Sequence, residues 1–290
     1  MWWLPLRIGT YGSDRRNEVR GEYALATGTA ATHRLRMLHR LYGPGGRRVL
    51  LQAGLQPGMR VADLGCGIGM ATALLADLVG PTGHVVGLDA SGEQIAQARA
   101  LFPPDLSNVS FIEASATNTG LPRGSFDLVY CRFLLLHLTA PEEALREMHG
   151  LLRPDGILVC EDGDLTSAGS QPPSALDAFA DLWGRLGPAL GLDYTLGRGL
   201  FQLVLTANFS RPEITFNQPV VARGESKRFL EWSVAEAGPA FLEAGLVTSE
   251  ELARLLGEMQ RIAEDETILA LMPRMSQVWA RKLIPCRPGG

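Results

Sequence analysis

The sequence predicts an α/β protein whose core is a doubly wound, mostly parallel sheet. Three observations carry that reading. Short apolar runs, VADL at 61–64 and VVGLD at 85–89, alternate with helix-length segments. A glycine-rich turn, GCGIG at 65–69, joins the first run to the apolar helical stretch MATALLADLV at 70–79. The alternation of apolar runs with amphipathic segments then continues to residue 162.

The elements follow in chain order. The stretch from Ala24 to Leu41 carries Leu25, Leu35, Leu38 and Leu41 at helical spacing, predicting one or two helices that GPGG at 43–46 should end. Residues 49–55 form a short helix before the QPGM turn, and residues 61–64 form the first strand. Ser91 with Gln94, Thr139 with Glu142, and Thr248 with Glu251 each have the spacing of a capping box, marking three helix starts. Residues 157–161 read as strand five, and a helix is expected from about Ser174 to Leu190. PEITFNQPVV at 212–221 reads as a strand by partial alternation, and MSQVWARKL at 275–283 as the last one. Between those two the chain looks helical and is long enough to build a lid. The implied organisation is a helical cap segment at 1–46, a core at 47–222, a helical lid insertion at 223–272, and a final core strand and tail at 273–290.

Composition narrows the function. The chain has 290 residues, is 46% hydrophobic and only 20% charged, which is ample material for a buried core. A net charge of -4 and the lack of any Lys/Arg block disfavour a nucleic-acid partner. Cys66, Cys131, Cys160 and Cys286 are widely spaced, so they read as small core residues, with neither a disulfide framework nor a metal site indicated. No apolar stretch reaches membrane-spanning length and MWWLPLRIG lacks a cationic leader, so a cytoplasmic location with no membrane partner is the expectation.

The glycine spacing decides among nucleotides. A dinucleotide fingerprint runs G-x-G-x-x-G, so that a pyrophosphate meets the helix amino terminus without a nearby anion. Here the spacing is G-x-G-x-G, and Asp63 stands two residues ahead of it, which suits a cationic ligand portion such as an ammonium. Asp89, closing the second strand, is placed to accept hydrogen bonds from ribose hydroxyls. The D-x-G-x-G-x-G run after an apolar strand resembles the first motif of class I S-adenosylmethionine-dependent methyltransferases of the small-molecule, UbiE-like type. Residues 104–138 and 144–162 resemble the family's third to fifth strands with their helix.

That resemblance implies a Rossmann-like, seven-stranded sheet with an antiparallel last strand and an added helical cap, and S-adenosyl-L-methionine as cofactor. It implies cofactor contacts from Asp63, Gly65, Cys66, Gly67 and Gly69 around the methionine part, and from Asp89 on the ribose. Leu88 and Ala90 are expected beside the adenosine. Where relatives carry an acid for the adenine amino group this chain has Ser115, with the Ala116 backbone beside it and Glu113 as a substitute. Arg132, just past strand four, should face the cofactor edge, and Tyr23 resembles a tyrosine that contacts the cofactor carboxylate. Tyr11 and His33 are further candidates to close over the donor.

His137 in LLLHL is the candidate general base, because an imidazole titrates near neutrality; a core role is its competing reading. Glu161, Asp162 and Asp164 end strand five and are expected to face the acceptor, unless they form a solvated loop and cap. Trp183, Tyr194, Phe201, Phe229, Trp232 and Phe241 are expected to shape an apolar pocket or to pack between helices. CRFL stands where amino-methylating enzymes of nucleic acids carry Asn/Asp-Pro-Pro-Tyr, so the expected reaction is O-methylation of a small metabolite. N- or C-methylation, and a cofactor-binding protein or cyclase that transfers no methyl group, stay open, as does a homodimer. Modification of protein or RNA would need an open cleft.

Overall fold

The computed structural model describes residues 29–103 and 106–283. A long helix α1 (Thr29–Ala53) leads into β1 (Arg60–Leu64), α2 (Met70–Val79), β2 (His84–Asp89), α3 (Gly92–Leu101) and β3 (Val109–Glu113). The chain continues through β4 (Phe126–Arg132), α4 (Pro141–Leu151), β5 (Leu152–Asp164), the short β6 (Gly169–Gln171), α5 (Ala178–Leu190) and α6 (Leu200–Thr206). The last third holds β7 (Phe209–Asn217), β8 (Val220–Val221), α7 (Phe229–Glu236), α8 (Gly238–Glu243), α9 (Ser249–Glu264), β9 (Leu269–Leu271) and β10 (Arg274–Lys282).

Seven strands form one sheet in the order β3-β2-β1-β4-β5-β10-β7. β1, β2, β3, β4 and β5 pair in parallel, while β10 runs antiparallel to both neighbours, β5 and β7. The strands read as continuous apolar runs because helices cover both faces: Val61, Ala62, Leu64, Leu128, Val129, Leu158 and Val159 have no measurable exposure. Strand order reverses between β1 and β4, so the loops after them diverge and open a crevice at the carboxyl edge. The mostly parallel sheet with one antiparallel strand is the expected fold. Three features depart from the sequence reading.

First, GPGG does not end a helix. α1 runs through Pro44, and the three glycines sit where the helix passes flush against the sheet and its own preceding turn. An added Cβ at Gly45 would strike the Asn217 side-chain amide, at Gly46 it would meet Glu161 Oε1 at 2.9 Å, and at Gly43 the His39 ring at 3.1 Å. A mid-helix proline costs roughly 3 kcal/mol. Burying Met37, Tyr42, Val49 and Leu50 on the same helix, at roughly 1.5–3 kcal/mol each, is enough to hold the helix together.

Second, β5 extends to Asp164, past the expected end at 161, because β10 pairs with it along that length. Third, β6, β9 and β8 form a separate three-stranded antiparallel sheet: β9 falls in the stretch read as helical, β8 at the end of the run read as one strand over 212–221, and β6 ahead of the helix expected from Ser174. Periodicity gave no warning of two- and three-residue strands.

Two of the three capping signals have side-chain bonds. Ser91 accepts from the Gln94 amide at 3.3 Å, and Thr248 and Glu251 form the full reciprocal box at α9. At α4 the cap is Ala140 with Pro141 at the first turn, so Thr139 caps nothing; the proline fixes the entry angle instead. Thr248→Ala should therefore lower the thermal midpoint by about 2 °C without altering activity, read by a calorimetric scan.

Candidate active site

One cavity of about 850 Å³ opens at the carboxyl edge of the sheet, lined by the loops after β1 to β5, by α1, and by α5 and α7. Its volume falls in the range of ligand-binding pockets. The two ends of the cavity differ in chemistry.

At one end stands the glycine turn. Gly65 (φ 70°) and Gly67 (φ 54°) both take left-handed backbone. An added Cβ would strike Leu134 Cδ1 at 2.8 Å and Gln94 Oε1 at 2.8 Å respectively, so no other residue fits either place without strain. The Asp89 carboxylate reaches across from β2 and accepts from the Gly67 amide at 2.9 Å through one oxygen and from the Ser91 amide at 2.9 Å through the other. Asp89 thereby locks two loops together while lining the cavity. Burial raises its pKa, against the backbone amides of Ser91, Gly67 and Ala90, which lower it.

Asp63 is 1% exposed and accepts from the Thr72 hydroxyl at 2.6 Å. Burial pushes its carboxyl up to about 7, against the Thr72 hydrogen bond and the Arg132 charge. A buried acid without a bonded cation is costly, and this one lies on the cavity wall. Cys66, whose amide donates to Leu88 O at 2.9 Å, lines the same wall with Leu88, Ala90, Ser115 and Ala116. Gly69 lies behind the wall: it turns the chain into α2, and an added Cβ would meet Phe102 at 2.7 Å. Glu113 turns its carboxylate toward Gly92 and lies off the cavity lining, leaving the β3 side of the pocket to Ser115 and Ala116.

Arg132 lines the cavity and meets the Nδ1 atom of His39 at 3.2 Å. Burial, then the Arg132 charge, depress His39 to about 4, so the neutral ring accepts this bond. Behind Arg132 the acids of β5 are consumed internally. Glu161 accepts from the Tyr130 hydroxyl and from Gln277 at 2.6 Å. Asp162 accepts from the amides of Leu135 at 2.8 Å, Leu136 at 3.3 Å and Gly163 at 3.0 Å. Asp164 binds Thr166 and the Arg198 Nε at 2.7 Å. All three are buried and none lines the cavity, so they neither face an acceptor nor form a solvated loop. Pairing of β5 with β4 and β10 on its two sides is the reason.

At the other end the wall turns apolar. Leu38, Leu165, Phe179, Trp183 and Phe229 line it, with His137, Arg34 and Ser233 as the polar groups. His137 closes the 3-10 turn after β4 and stands edge-on to Tyr194 at 5.8 Å. Burial, then the Arg34 charge, lower its pKa to about 3, so the ring is neutral throughout the physiological range. Tyr194 and Phe241 pack edge-on behind Trp183, at 4.8 and 5.6 Å. Phe201 and Trp232 lie off the wall, and so does His33, which pairs with Glu225 at 3.2 Å. Tyr11 and Tyr23 lie outside the described residues.

Sequence reasoning missed Arg34, Phe179 and Ser233. The available signal was weak: Arg34 stands three and four residues before Met37 and Leu38, on the inward face of an amphipathic helix. Among the described residues no group of three or more His, Cys, Asp or Glu is placed to hold a metal ion, and no helix is long and apolar enough to cross a membrane.

Residues 62–160 match a family described as a methyltransferase domain. Over that stretch the chain is similar to class I S-adenosylmethionine-dependent methyltransferases. Over 124 residues it is 37% identical to the ubiquinone/menaquinone biosynthesis C-methyltransferase UbiE of Ectopseudomonas mendocina, covering 42% of this chain and 47% of that protein. Over 109 residues it is 37% identical to a demethylmenaquinone methyltransferase of Listeria monocytogenes, covering 37% and 46%. The chain thus matches about half the length of these curated relatives. The YcgJ protein of Bacillus subtilis shares the fold at a TM-score of 0.56 and 17% identity, over 85% of this chain and 99% of that one.

The cofactor of this class of methyltransferase domain is S-adenosylmethionine, and the residues present fit it. A carboxylate at Asp89 is on the wall beside small residues, Asp63 is a buried acid suited to a cation, and the left-handed turn at Gly65 and Gly67 keeps side chains off the approach.

Proposed function

We propose that this chain transfers a methyl group from S-adenosylmethionine to a small, largely apolar organic acceptor held within the cavity, with oxygen as the receiving atom. One observation carries this: the cofactor-side wall and an apolar, aromatic-lined wall belong to the same cavity, covered by α1 and α7. Asp63, Gly65, Cys66 and Gly67 hold the methionine part, Asp89 the ribose, and Ala90, Ser115 and Ala116 the adenine. Arg132 keeps positive charge beside Asp63. Gly69 supports the loop from behind, and residues 223–272 act as the lid over the acceptor.

Bound there, S-adenosylmethionine supplies a methyl group already activated on a sulfonium. The protein's task is then alignment and exclusion of water. Leu38, Phe179 and Phe229 exclude water from the reacting end. A neutral imidazole at His137 accepts a hydrogen bond from the acceptor and orients it; with its pKa at about 3 it does not retain a proton near neutrality. His137→Ala should lower kcat about tenfold with donor affinity unchanged, and the unaltered enzyme should show no His137 inflection between about pH 5 and 8. A parallel fall in thermal stability with kcat intact would assign the ring to packing instead.

Carbon is the second reading for the receiving atom, favoured by the similarity to a relative named a C-methyltransferase. Incubating the purified protein with methyl-labelled S-adenosylmethionine and a panel of phenols, hydroxy acids and amines tests both. Product mass and carbon NMR distinguish a new methoxy group from a ring methyl. Cofactor binding with no S-adenosylhomocysteine released from any acceptor would favour a binding protein.

A further inference from the structure

α1 and α7 meet over the cavity through a buried ion pair. Arg34 Nε lies 2.6 Å from Glu236 Oε2, and the two side chains are 6% and 7% exposed. Only Arg34 lines the cavity; Glu236 lies behind it. Among the described residues Glu236 is the hydrogen-bond partner of Arg34, through Nε alone, while a guanidinium presents five donors. Among the described residues the Nη groups therefore have no hydrogen-bond acceptor.

The surroundings set the sign of the charge such a donor would meet. The carboxylates on the wall, Asp63 and Asp89, belong to the glycine-turn end. At the other end His137 is neutral and Ser233 is uncharged, so Arg34, with Glu236 behind it, is the charged side chain on that part of the wall. The apolar wall beside it carries Phe179, Trp183 and Phe229. Trp183, 1% exposed, also has an indole N–H with no hydrogen-bond partner among the described residues. Flat aromatic surfaces beside a desolvated planar fork of donors select a flat ligand with an oxygen carrying negative charge.

We propose that Arg34, held in place by Glu236, binds an anionic oxygen of a planar aromatic acceptor and sets the enzyme's selectivity for it. This rests on the cavity being the acceptor's site, as proposed above. Arg34 is a binding residue here, and Glu236 a positioning residue that fixes the guanidinium across the α1–α7 contact.

The test is calorimetric titration of the protein saturated with S-adenosylhomocysteine, using 2-naphthoate and its neutral counterpart 2-naphthamide. Naphthoate should bind at least tenfold more tightly than the amide. Removing Arg34 alone strands a buried carboxylate, so the pair is replaced together, as Arg34→Met with Glu236→Leu, a change of kind that folded proteins tolerate. That variant should bind both probes equally and keep its S-adenosylhomocysteine affinity. Arg34→Lys, which keeps charge but loses the fork, should cost several-fold for naphthoate only and covers the case in which the double variant does not fold. Equal binding of the two probes by the unaltered protein, or no binding of either, overturns the proposal and leaves the methyltransferase reading intact. So does a loss of S-adenosylhomocysteine affinity in the double variant, which would assign Arg34 to the donor. Failure of the unaltered protein to bind S-adenosylhomocysteine overturns both.

Discussion

Asp89→Ala should weaken S-adenosylmethionine binding about a hundredfold or more, equivalent to about 2.8 kcal/mol. The substitution removes a charged acceptor for the ribose hydroxyls, whose bonds to an ion are the strong kind. It also strips the acceptor from two loop amides, Gly67 and Ser91, each 2.9 Å from the carboxylate. Those amides then face the cavity unsatisfied, and the glycine turn loses its tether to β2. Asp89→Asn keeps the shape and should lose less than the alanine change. Calorimetry with S-adenosylhomocysteine reads both, and an unchanged dissociation constant in the alanine variant would remove Asp89 from the cofactor site. Because the tethered amides belong to the loops after β1 and β2 and not to the strand ladder, the sheet should fold normally, checked by circular dichroism.

Donor affinity should rise about tenfold between pH 6 and pH 8. In the ligand-free protein burial holds Asp63 protonated up to about 7, whereas a cationic ligand portion requires the carboxylate ionised. Binding must then expel a proton on the acid side of that value, and by linkage affinity climbs as pH passes through it. Stability of the ligand-free protein runs the other way. Its folded form binds more protons than the unfolded chain between the ordinary carboxylate range and about 7, so stability falls as pH rises through that window. Titrations at pH 7 in two buffers of different ionisation enthalpy should count about half a proton released. Asp63→Asn should bind the donor some thirtyfold less tightly at pH 8 and show no slope with pH. A slope that survives in the asparagine variant would belong to another group.

The glycine-turn end of the cavity was legible because it is local. Asp63, the glycine turn and Asp89 lie within one strand-turn-helix-strand unit, where backbone sterics and hydrogen bonding force particular residue types into particular places. The apolar end is assembled across the chain. Arg34 and Glu236 are 202 residues apart, and each, read in its own helix, is one more charge on an amphipathic segment. The β5 acids misled for the opposite reason. Their place in sequence pointed to the cavity, but pairing of β5 with β10 extends the strand beyond its apolar run and turns all three carboxylates to internal partners. GPGG misled because glycine serves close approach as well as turns, and only the packing of α1 against Asn217 and Glu161 tells the two apart.

β7 and β10 are adjacent strands, so the chain leaves the sheet at Asn217 and returns at Arg274 to neighbouring positions. The excursion between them is a loop with both feet on one fixed base, and it carries Phe229, Ser233 and Glu236 over the cavity. A segment anchored that way is an interchangeable cassette: its length and composition can drift without disturbing the strand order or the glycine turn. On the function proposed above, selectivity for the acceptor can be rewritten while the glycine-turn end stays as it is, and swapping 218–273 between related chains should change the acceptor range.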